Sequence, residues 1–253
     1  MVHVWAGQLA QYAHFAHYQL SSLFLNPPEK CRVTHTTCHC LEDDATIQLL
    51  SVFMRMQPPE TVNLRFHLME RSRLMRRAIG RNERTRMTTA DVVWFAGCDY
   101  LYGPGCLDAI ATEALKHPNR VCFPRQILRN KSHADGDRLV AEDAARVAAS
   151  PAHWGALIQP KCDWEPQRIN RPIGCLQIVS GDRARERGYL PNVAKYQKPA
   201  ETWKRTFEDR AARAALGPEK QGIDVPNLYR LRHSKQGRFA DAGGNVKPGK
   251  FKK

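Results

Sequence analysis

The sequence lacks any long apolar run. No segment reaches the roughly 18 consecutive apolar residues that a helix needs to cross a bilayer. It also lacks the features of a secretory signal, because strand-like sequence begins at Val2 and leaves no room for a positively charged segment before it. We therefore expect an intracellular, cytoplasmic protein.

Acidic residues are scarce. The 253 residues include 25 Asp and Glu against 39 Lys and Arg, which gives a net charge of +14. Such an excess favours a polyanionic partner: nucleic acid, anionic lipid or a phosphorylated substrate. The basic residues are spread along the chain, which fits a long charged groove; an ordinary basic, soluble surface is the alternative. They recur at Arg71 to Arg86, Arg183 to Arg187, Lys198 to Arg213 and Arg230 to Arg238.

Paired cysteine motifs are absent. None of the eight cysteines belongs to a C-x₂-C unit, the usual mark of a structural zinc site. A short stretch of the sequence nevertheless contains several possible zinc ligands: Cys31, His35, Cys38, His39 and Cys40. Cys38 and Cys40 alternate with a predicted strand, however, so we expect no zinc there. In a reducing compartment we also expect no structural disulfide.

Hydrophobic periodicity predicts alternating strands and helices from Val2 to Leu115. This β-α-β-α-β-α-β-α order is typical of a parallel sheet covered by helices. The predicted strands in this part are Val2–Trp5, Cys31–His39, Val62–Leu68 and Val92–Ala96. The predicted helices are Gln8–Leu25, Ala45–Met54 with Asp44 as its cap, Arg71–Arg86 interrupted at Gly80, and Leu107–Leu115.

The second part of the chain has a weaker pattern. We predict strands at Arg120–Ile127, Ile173–Ser180 and Val225–Arg232, and a helix at Trp203–Leu216. Residues 129 to 150 are polar and Ala-rich, which predicts a surface excursion with one helix at Arg138–Ala149.

A single carboxylate follows the fourth predicted strand. The apolar run Val92 to Ala96 leads to Asp99, and a Gly/Pro turn begins at Gly103. Open α/β sheets place ligand sites at the carboxyl ends of their strands. A carboxylate there can hold a hard divalent cation, which can hold a diphosphate. The alternative is that Asp99 only caps the turn.

Four motifs occur in a fixed order, and they resemble those of family-2-type glycosyltransferases of the A fold, enzymes that use nucleotide-sugars. The motifs are Ala78-Ile-Gly-Arg-Asn82 with Thr89-Ala-Asp-Val-Val-Trp-Phe-Ala-Gly-Cys-Asp99, Pro104-Gly-Cys-Leu107, Trp203-Lys-Arg-Thr-Phe-Glu208-Asp209, and Leu228-Tyr-Arg-Leu-Arg-His233. The resemblance implies a Rossmann-like A-type glycosyltransferase fold in a single domain, residues 1–238, with a mostly parallel central sheet and helices on both faces. It further implies a nucleotide-sugar-binding half at 1–125 and an acceptor-binding half at 150–238. Residues 239–253 form a basic tail that we expect to be flexible.

The resemblance also assigns roles to residues. Asp99 and His233 would bind Mn²⁺ or Mg²⁺, and Asp209, with Glu208 as runner-up, would be the base of an inverting transfer. In one place the chain departs from the family: Gly97-Cys98-Asp99 stands where Asp-x-Asp is usual, so one acid is missing. The residues implied to bind the nucleotide-sugar, a UDP-sugar in our prediction, are Trp5, Gly7, Asp43, Asp44, Arg81, Asn82 and Cys98.

Structural alternatives exist for the same residues. Asp43 or Asp44 would also serve as a helix N-cap. Glu208 and Asp209 would also suit the first turn of a helix, where they complement its dipole. Trp5 is alternatively a core residue, and the basic helix at 71–86 alternatively has a solvated face.

The acceptor prediction depends on analogy. The opening Val4-Trp-Ala-Gly-Gln-Leu9 is similar to small phage-type glycosyltransferases of this fold, which modify hydroxymethylated pyrimidines in DNA. The resemblance implies a 5-hydroxymethylpyrimidine acceptor, such as 5-hydroxymethylcytosine, extruded from double-stranded DNA. If the source is viral, the enzyme would act in the host cytoplasm.

The predicted DNA-binding residues are basic side chains of the second half, which would contact phosphates. They are Arg183, Arg185, Arg187, Lys198, Lys204, Arg205, Arg230, Arg232, Lys235 and Arg238. Two alternatives stay open: a glycosyltransferase acting on a surface polysaccharide or lipid-linked glycan, and a non-catalytic nucleic-acid-binding domain.

Overall fold

The structure is a computed structural model that describes residues 1–4, 11–201 and 208–234. The strands are β1 (Val2–His3), β2 (Val33–His39), β3 (Val62–Leu68), β4 (Val92–Phe95), β5 (Tyr100–Tyr102), β6 (Val121–Pro124), β7 (Gln126–Asn130), β8 (Trp164–Arg168), β9 (Gln177–Ser180), β10 (Lys220–Ile223) and β11 (Leu228–Arg230). The helices are α1 (Tyr12–Leu25), α2 (Asp44–Arg55), α3 (Arg71–Leu74), α4 (Arg77–Arg86), α5 (Cys106–Leu115), α6 (His133–Ala149), α7 (Gly181–Arg187), α8 (Ala194–Gln197) and α9 (Glu208–Leu216), with a 3₁₀ helix at Pro151–Gly155.

Two of the three sheets meet edge to edge. The first is parallel, in the order β1-β2-β3, and the second has the order β10-β6-β9-β4, with β9 antiparallel to both neighbours. Met1 joins them: its amino group donates to the carbonyl of Trp94 at 2.9 Å, and its carbonyl accepts from the amide of Ala96 at 3.2 Å. This is the hydrogen-bond pattern of a parallel ladder. The α/β class and the parallel first sheet are therefore confirmed, whereas the remaining sheets are mixed.

The third sheet, in the order β5-β11-β7-β8, positions the segment after β4. β5 begins at Tyr100, directly after Asp99, and pairs antiparallel with β11, so that Tyr100 lies opposite Arg230. The almost entirely buried helix α1 supports the same segment, because the amide of Gln19 donates to the carbonyls of Gly97 and Tyr100, each at 2.8 Å. The end of β4 is thus held from two sides.

Two predictions about the helices are wrong. The cap of α2 is Asp43, not Asp44: its carboxylate accepts from the amide of Thr46 at 3.2 Å and from its hydroxyl at 2.7 Å. Gly80 does not interrupt the basic segment, since it lies inside α4 and the break falls between α3 and α4. The glycine is needed for packing there, because a Cβ at this position would lie only 2.7 Å from the ring of His3.

The second part of the chain differs more from the predictions. The expected strand at Arg120–Ile127 is two strands, β6 and β7, because the chain passes from the second sheet to the third at Arg125. The expected surface excursion is instead a packed helix, α6, which buries Leu139, Val140 and Asp143. β5, β8 and β10 were not predicted; β8 contains Pro166, which an edge strand tolerates.

The first turn of α6 packs tightly against the segment that follows β11. A Cβ at Gly136 would overlap the carbonyl oxygen of Arg232, so only glycine allows this approach. The neighbouring Asp137 accepts a hydrogen bond from the amide of Ser234 at 2.9 Å. These contacts fix the position of His233 between them.

We predict that Gly136→Ala destabilises the fold, although alanine is the better helix former. Overpacking of this kind costs about 1–3 kcal/mol, and the overlap here is with backbone, which cannot rotate away. Urea unfolding measures the change. Gly155→Ala is the matched control, because its new Cβ would make an ordinary 3.6 Å contact with Val52. Equal unfolding free energies for the two variants would contradict the prediction.

Candidate active site

Asp99 lies where the sequence predicted, just beyond the end of β4, and is largely buried. Its Oδ2 accepts from Nε of Arg230 at 3.0 Å, and its carbonyl accepts from the amide of Leu231 at 2.9 Å. Only 8% of the residue is exposed. The ion pair therefore fastens the loop after β4 to the residues at the end of β11.

Two side chains closely approach Gly97, which stands where the metal motif has its first acid. A Cβ at Gly97 would lie 2.5 Å from Oδ1 of Asp99 and 2.9 Å from Sγ of Cys175. An aspartate could not enter this position unless those groups moved. Cys175 thus fills the space beside the single carboxylate.

Asp209 is held at the start of α9 by three donors. Oδ1 accepts from Nη1 of Arg81 at 2.8 Å and from the hydroxyl of Tyr189 at 2.7 Å, while Oδ2 accepts from Nη2 of Arg77 at 3.0 Å. Its neighbour Glu208 is more buried and accepts from Nε of Arg77 and from the amide of Ala78, each at 3.3 Å. The two acids therefore bind the first turn of α4, where the helix dipole favours negative charge.

Cys175 and its neighbour Gly174 lie near the two predicted functional acids. The Sγ atom of Cys175 would lie 2.9 Å from a Cβ at Gly97. The pKa of this thiol is raised, first by burial and then by the negative charges of Asp99 and Asp209. The thiol is thus kept neutral, and the negative charges of Asp99 and Asp209 both act on it. Gly174, next to the cysteine, approaches Asp209 so closely that a Cβ there would lie 2.7 Å from its Oδ2.

The arginines beside Asp209 remain charged. Burial alone would lower the pKa of Arg77, but the carboxylates of Asp209 and Glu208 outweigh it and raise the pKa above its ordinary value. The guanidinium of Arg81 is 1% exposed and lies over the ring of Tyr189, 5.1 Å from its centroid. Arg81, predicted to bind the donor, is thus buried against Asp209, whereas the side chain of Arg77, which pairs with the same carboxylate, is 18% exposed.

Of the other residues predicted to bind the donor, Asn82 is partly buried and Cys98 is buried. The side-chain oxygen of Asn82 accepts from the amide of Tyr189 at 3.1 Å, which positions the tyrosine that binds Asp209. Cys98 is buried, and its thiol pKa is raised well above the ordinary value by burial and then by Asp99. Asp43 serves as the cap of α2, and Asp44 is exposed in its first turn.

His233 and Arg230 both line an open pocket of about 220 Å³. Its ring packs 4.4 Å from that of Phe15, and its Nδ1 lies 2.8 Å from the carbonyl oxygen of Ser234. Burial would lower the pKa of Arg230, but Tyr100 and Asp99 raise it, so this side chain is a cation. The pocket is lined by Arg129, His133, Gln167, Arg230, Arg232 and His233. Three guanidinium groups make it suited to an anion.

The divalent cation implied by the sequence does not fit these residues in the arrangement found. One oxygen of Asp99 is already paired with Arg230, Gly97 contributes no second acid, and the pocket around His233 is lined with positive charge. A cation is repelled by such a lining. The metal roles of Asp99 and His233 therefore stay predictions, and no catalytic step is assigned to a cation.

Five of the arginines predicted to bind DNA make hydrogen bonds within the protein. On α7, Arg183 donates to the carbonyl of Leu216 at 2.5 Å, Arg185 to that of Thr88 at 3.0 Å, and Arg187 donates to a carbonyl in the last turn of α9. The remaining two are Arg230 and Arg232, in the pocket already described. Lys198 is exposed. Six predicted residues lie outside the described part of the chain: Trp5, Gly7, Lys204, Arg205, Lys235 and Arg238.

The cluster from Cys31 to Cys40 does not converge on a metal site within the described residues. His35 instead lies 3.1 Å from the side-chain oxygen of Gln19, and burial lowers its pKa to about 3. Cys38 and Cys40 are buried free thiols. Cys38 and Cys40 are therefore core residues, whereas the expected absence of zinc at this cluster stays a prediction.

Sequence reasoning missed several members of the site. Arg77 had a visible signal, since it precedes Arg81 by four residues and shares its helix face. Tyr189, Cys175 and Arg129 had none, because their roles arise from packing between segments far apart in the chain.

Comparison with known proteins identifies the fold. No protein-family model and no curated protein matches the sequence. TarS of S. aureus superposes with a TM-score of 0.55 at 10% sequence identity, over 91% of this chain and 36% of that one. The fold is that of the A-type glycosyltransferases. This chain spans about a third of the length of TarS, and identity this low shows the fold alone.

Mouse xyloside xylosyltransferase 1, in its apo form, is also found. It has a TM-score of 0.37 and 9% identity, over 90% of this chain and 96% of that one. A TM-score this low adds nothing to the fold assignment. Among the helices that the structure describes, none is long and apolar enough to span a membrane.

We predict that Asp209→Asn lowers the free energy of unfolding by about 3–5 kcal/mol, because it leaves the buried Arg81 without its counter-ion. Denaturant unfolding measures the loss. Asp224→Asn is the control: its ion pair with Arg125 is of similar length, 2.7 Å, but its side chain is 81% exposed. An equally small effect of both substitutions would show that the Asp209 network does not stabilise the fold.

Proposed function

We propose that this protein is a glycosyltransferase that moves a sugar from a nucleotide-sugar, UDP-linked in our proposal, to a hydroxyl group. The observation that carries this proposal is the approach of Asp99 and Asp209 to Cys175 beside an arginine-lined pocket, in a fold of the A type. A carboxylate site next to a cationic pocket supplies both requirements of the reaction: a base for the acceptor and positive charge for the leaving diphosphate.

The arginine pocket is the proposed diphosphate site. Breaking the bond between sugar and phosphate leaves growing negative charge on the nucleoside diphosphate, and positioned guanidinium groups stabilise that charge. Arg230 is fixed by Asp99, while Glu165 holds Arg129 at 2.9 Å and lies 3.9 Å from Arg232. Such pairs orient the guanidinium groups before the donor binds.

Asp209 is the proposed base that takes the proton of the acceptor hydroxyl. Its side chain is 17% exposed, against 4% for Glu208, which favours it over its neighbour. Arg77, Arg81 and Tyr189 fix its orientation through both oxygens. Attack from the side of this base would displace the diphosphate directly and invert the anomeric carbon.

We predict that the purified protein hydrolyses a nucleotide-sugar in the absence of acceptor and that Asp99→Asn lowers kcat/KM about 10²–10³-fold, the usual loss on disturbing a transition-state charge contact. Released UDP is measured over a panel of nucleotide-sugars, with Mn²⁺ and with a chelator, because the sequence predicts a cation at Asp99.

The exposed Asp224 again provides a control, since Asp224→Asn should hydrolyse the donor at the wild-type rate. A wild-type protein without activity toward any donor, with or without metal, would contradict the transferase proposal and favour a non-catalytic nucleic-acid-binding domain. Full activity of Asp99→Asn would contradict the role of that residue.

For the acceptor we propose a 5-hydroxymethylpyrimidine in double-stranded DNA. The net charge of +14 supports a polyanionic acceptor. Arg183, Arg185 and Arg187 already donate hydrogen bonds within the protein. An exposed lysine such as Lys198 is therefore a better candidate for a phosphate contact.

We predict sugar transfer to DNA that contains 5-hydroxymethylcytosine and none to the same DNA with cytosine, because only the former offers a hydroxyl group on a base. A mass shift of the nucleoside reports the transfer, which should weaken steeply as salt screens the phosphates. Donor hydrolysis without transfer to either DNA would instead favour a surface polysaccharide or lipid-linked glycan as the acceptor.

A further inference from the structure

A buried aspartate lies among three histidines away from the candidate active site. Asp143, on α6, is fully buried. Its Oδ2 lies 2.7 Å from Nδ1 of His14 and 3.1 Å from Nδ1 of His17, both on α1, and its Oδ1 lies 2.9 Å from Nε2 of His153 in the 3₁₀ helix. Helix α1 thus meets α6 and the adjacent 3₁₀ helix, more than a hundred residues later in the chain, at one carboxylate.

A neutral His17 ring cannot donate a hydrogen bond to both of the oxygen atoms that its nitrogens face. Its Nδ1 faces Asp143 and its Nε2 lies 2.9 Å from the carbonyl oxygen of Ala156, so both nitrogens face acceptors. A neutral imidazole has one N–H and can satisfy only one of them. A metal ion on Nδ1 removes the mismatch, because Nε2 then carries the proton and donates to the carbonyl. Metal-binding histidines commonly make this outer hydrogen bond.

The distances suit a bound ion. One ligand atom from each of His17, Asp143 and His153 lies within 4.8 Å of the others, the one such group of three within the described ranges. A zinc ion at about 2.0–2.1 Å from each ligand places tetrahedral ligand atoms about 3.4 Å apart. The two distances from imidazole to carboxylate, 3.1 Å and 2.9 Å, would lengthen slightly, and the two imidazole nitrogens already lie within 4.8 Å of each other. We propose that His17 Nδ1, His153 Nε2 and the Asp143 carboxylate bind a divalent transition-metal ion, zinc by preference.

The surroundings favour a structural ion. The ring of Trp154, 1% exposed, stacks 4.9 Å from that of His14 and covers the cluster. His14 is not one of the proposed ligands; its Nδ1 donates a hydrogen bond to Asp143. His153, with 17% of its side chain exposed, leaves a path for the ion and for a water molecule as fourth ligand. The ion fastens α1 to α6, and α1 also supports the loop after β4 through Gln19. This proposal is independent of glycosyl transfer.

The test is metal analysis of the full chain. We expect stoichiometric zinc in the purified protein. After removal by a chelator, Zn²⁺ alone should rebind in competition with a chromophoric chelator and raise the melting temperature. Neither readout depends on enzymatic activity.

Variants locate the ion. His153→Gln and Asp143→Asn should lose the bound zinc and the Zn²⁺-dependent rise in melting temperature, and His14→Gln should bind about 10–100-fold more weakly, as outer-shell substitutions do. His67→Gln is the matched control, because His67 also pairs with a carboxylate, that of Glu83 at 3.1 Å. The His67→Gln protein should keep its bound zinc. Circular dichroism checks the fold of each variant, and the partly exposed His153 is the substitution that disturbs packing least.

Two results would overturn the proposal. A folded wild-type chain that contains no zinc and takes up none when Zn²⁺ is added would show that the cluster is a hydrogen-bond network without a metal ion. Zinc that persists in folded His153→Gln and Asp143→Asn would place the ion elsewhere in the chain.

Discussion

A buried guanidinium must have a counter-ion, and that constraint organises the candidate site. Arg81 is 1% exposed on α4, and its partner is Asp209 at the start of α9. Because an unpaired buried charge costs several kcal/mol, α9 has to dock against α4 where the two can meet. Docking there places Asp209 beside Gly174 and Cys175, and Cys175 in turn contacts the loop that carries Asp99. The proximity of the two acids follows from this one pairing.

A second ion pair explains why the site differs from the motif that it resembles. Asp99 is paired with Arg230, and the space for another acid at Gly97 is filled. Positive charge near the proposed leaving group therefore comes from the arginines of the pocket. The basic excess of the sequence is thus partly internal, since arginines on α7 and β11 bond carbonyls and carboxylates of the fold.

The parts of the fold predictable from sequence were those fixed by local pattern. Residue alternation predicted the strands β2 and β3, and the alternating order of strands and helices predicted that their sheet is parallel. The apolar run before Asp99 located a strand end correctly. Long-range pairing was not predictable. The split of β6 from β7 depends on which sheets accept them, and the burial of Asp143 depends on histidines more than a hundred residues earlier. Arg81 was expected at the donor because its sequence context shows a basic helix but not which face is buried.

The most direct test of the proposed site is a crystal structure with UDP bound. The diphosphate should lie in the pocket within hydrogen-bond distance of Arg230 and Arg232, with Asp209 facing the side from which an acceptor would approach. UDP bound at another surface, or a diphosphate that touches none of the pocket arginines, would contradict the assignment of this site to nucleotide-sugar binding.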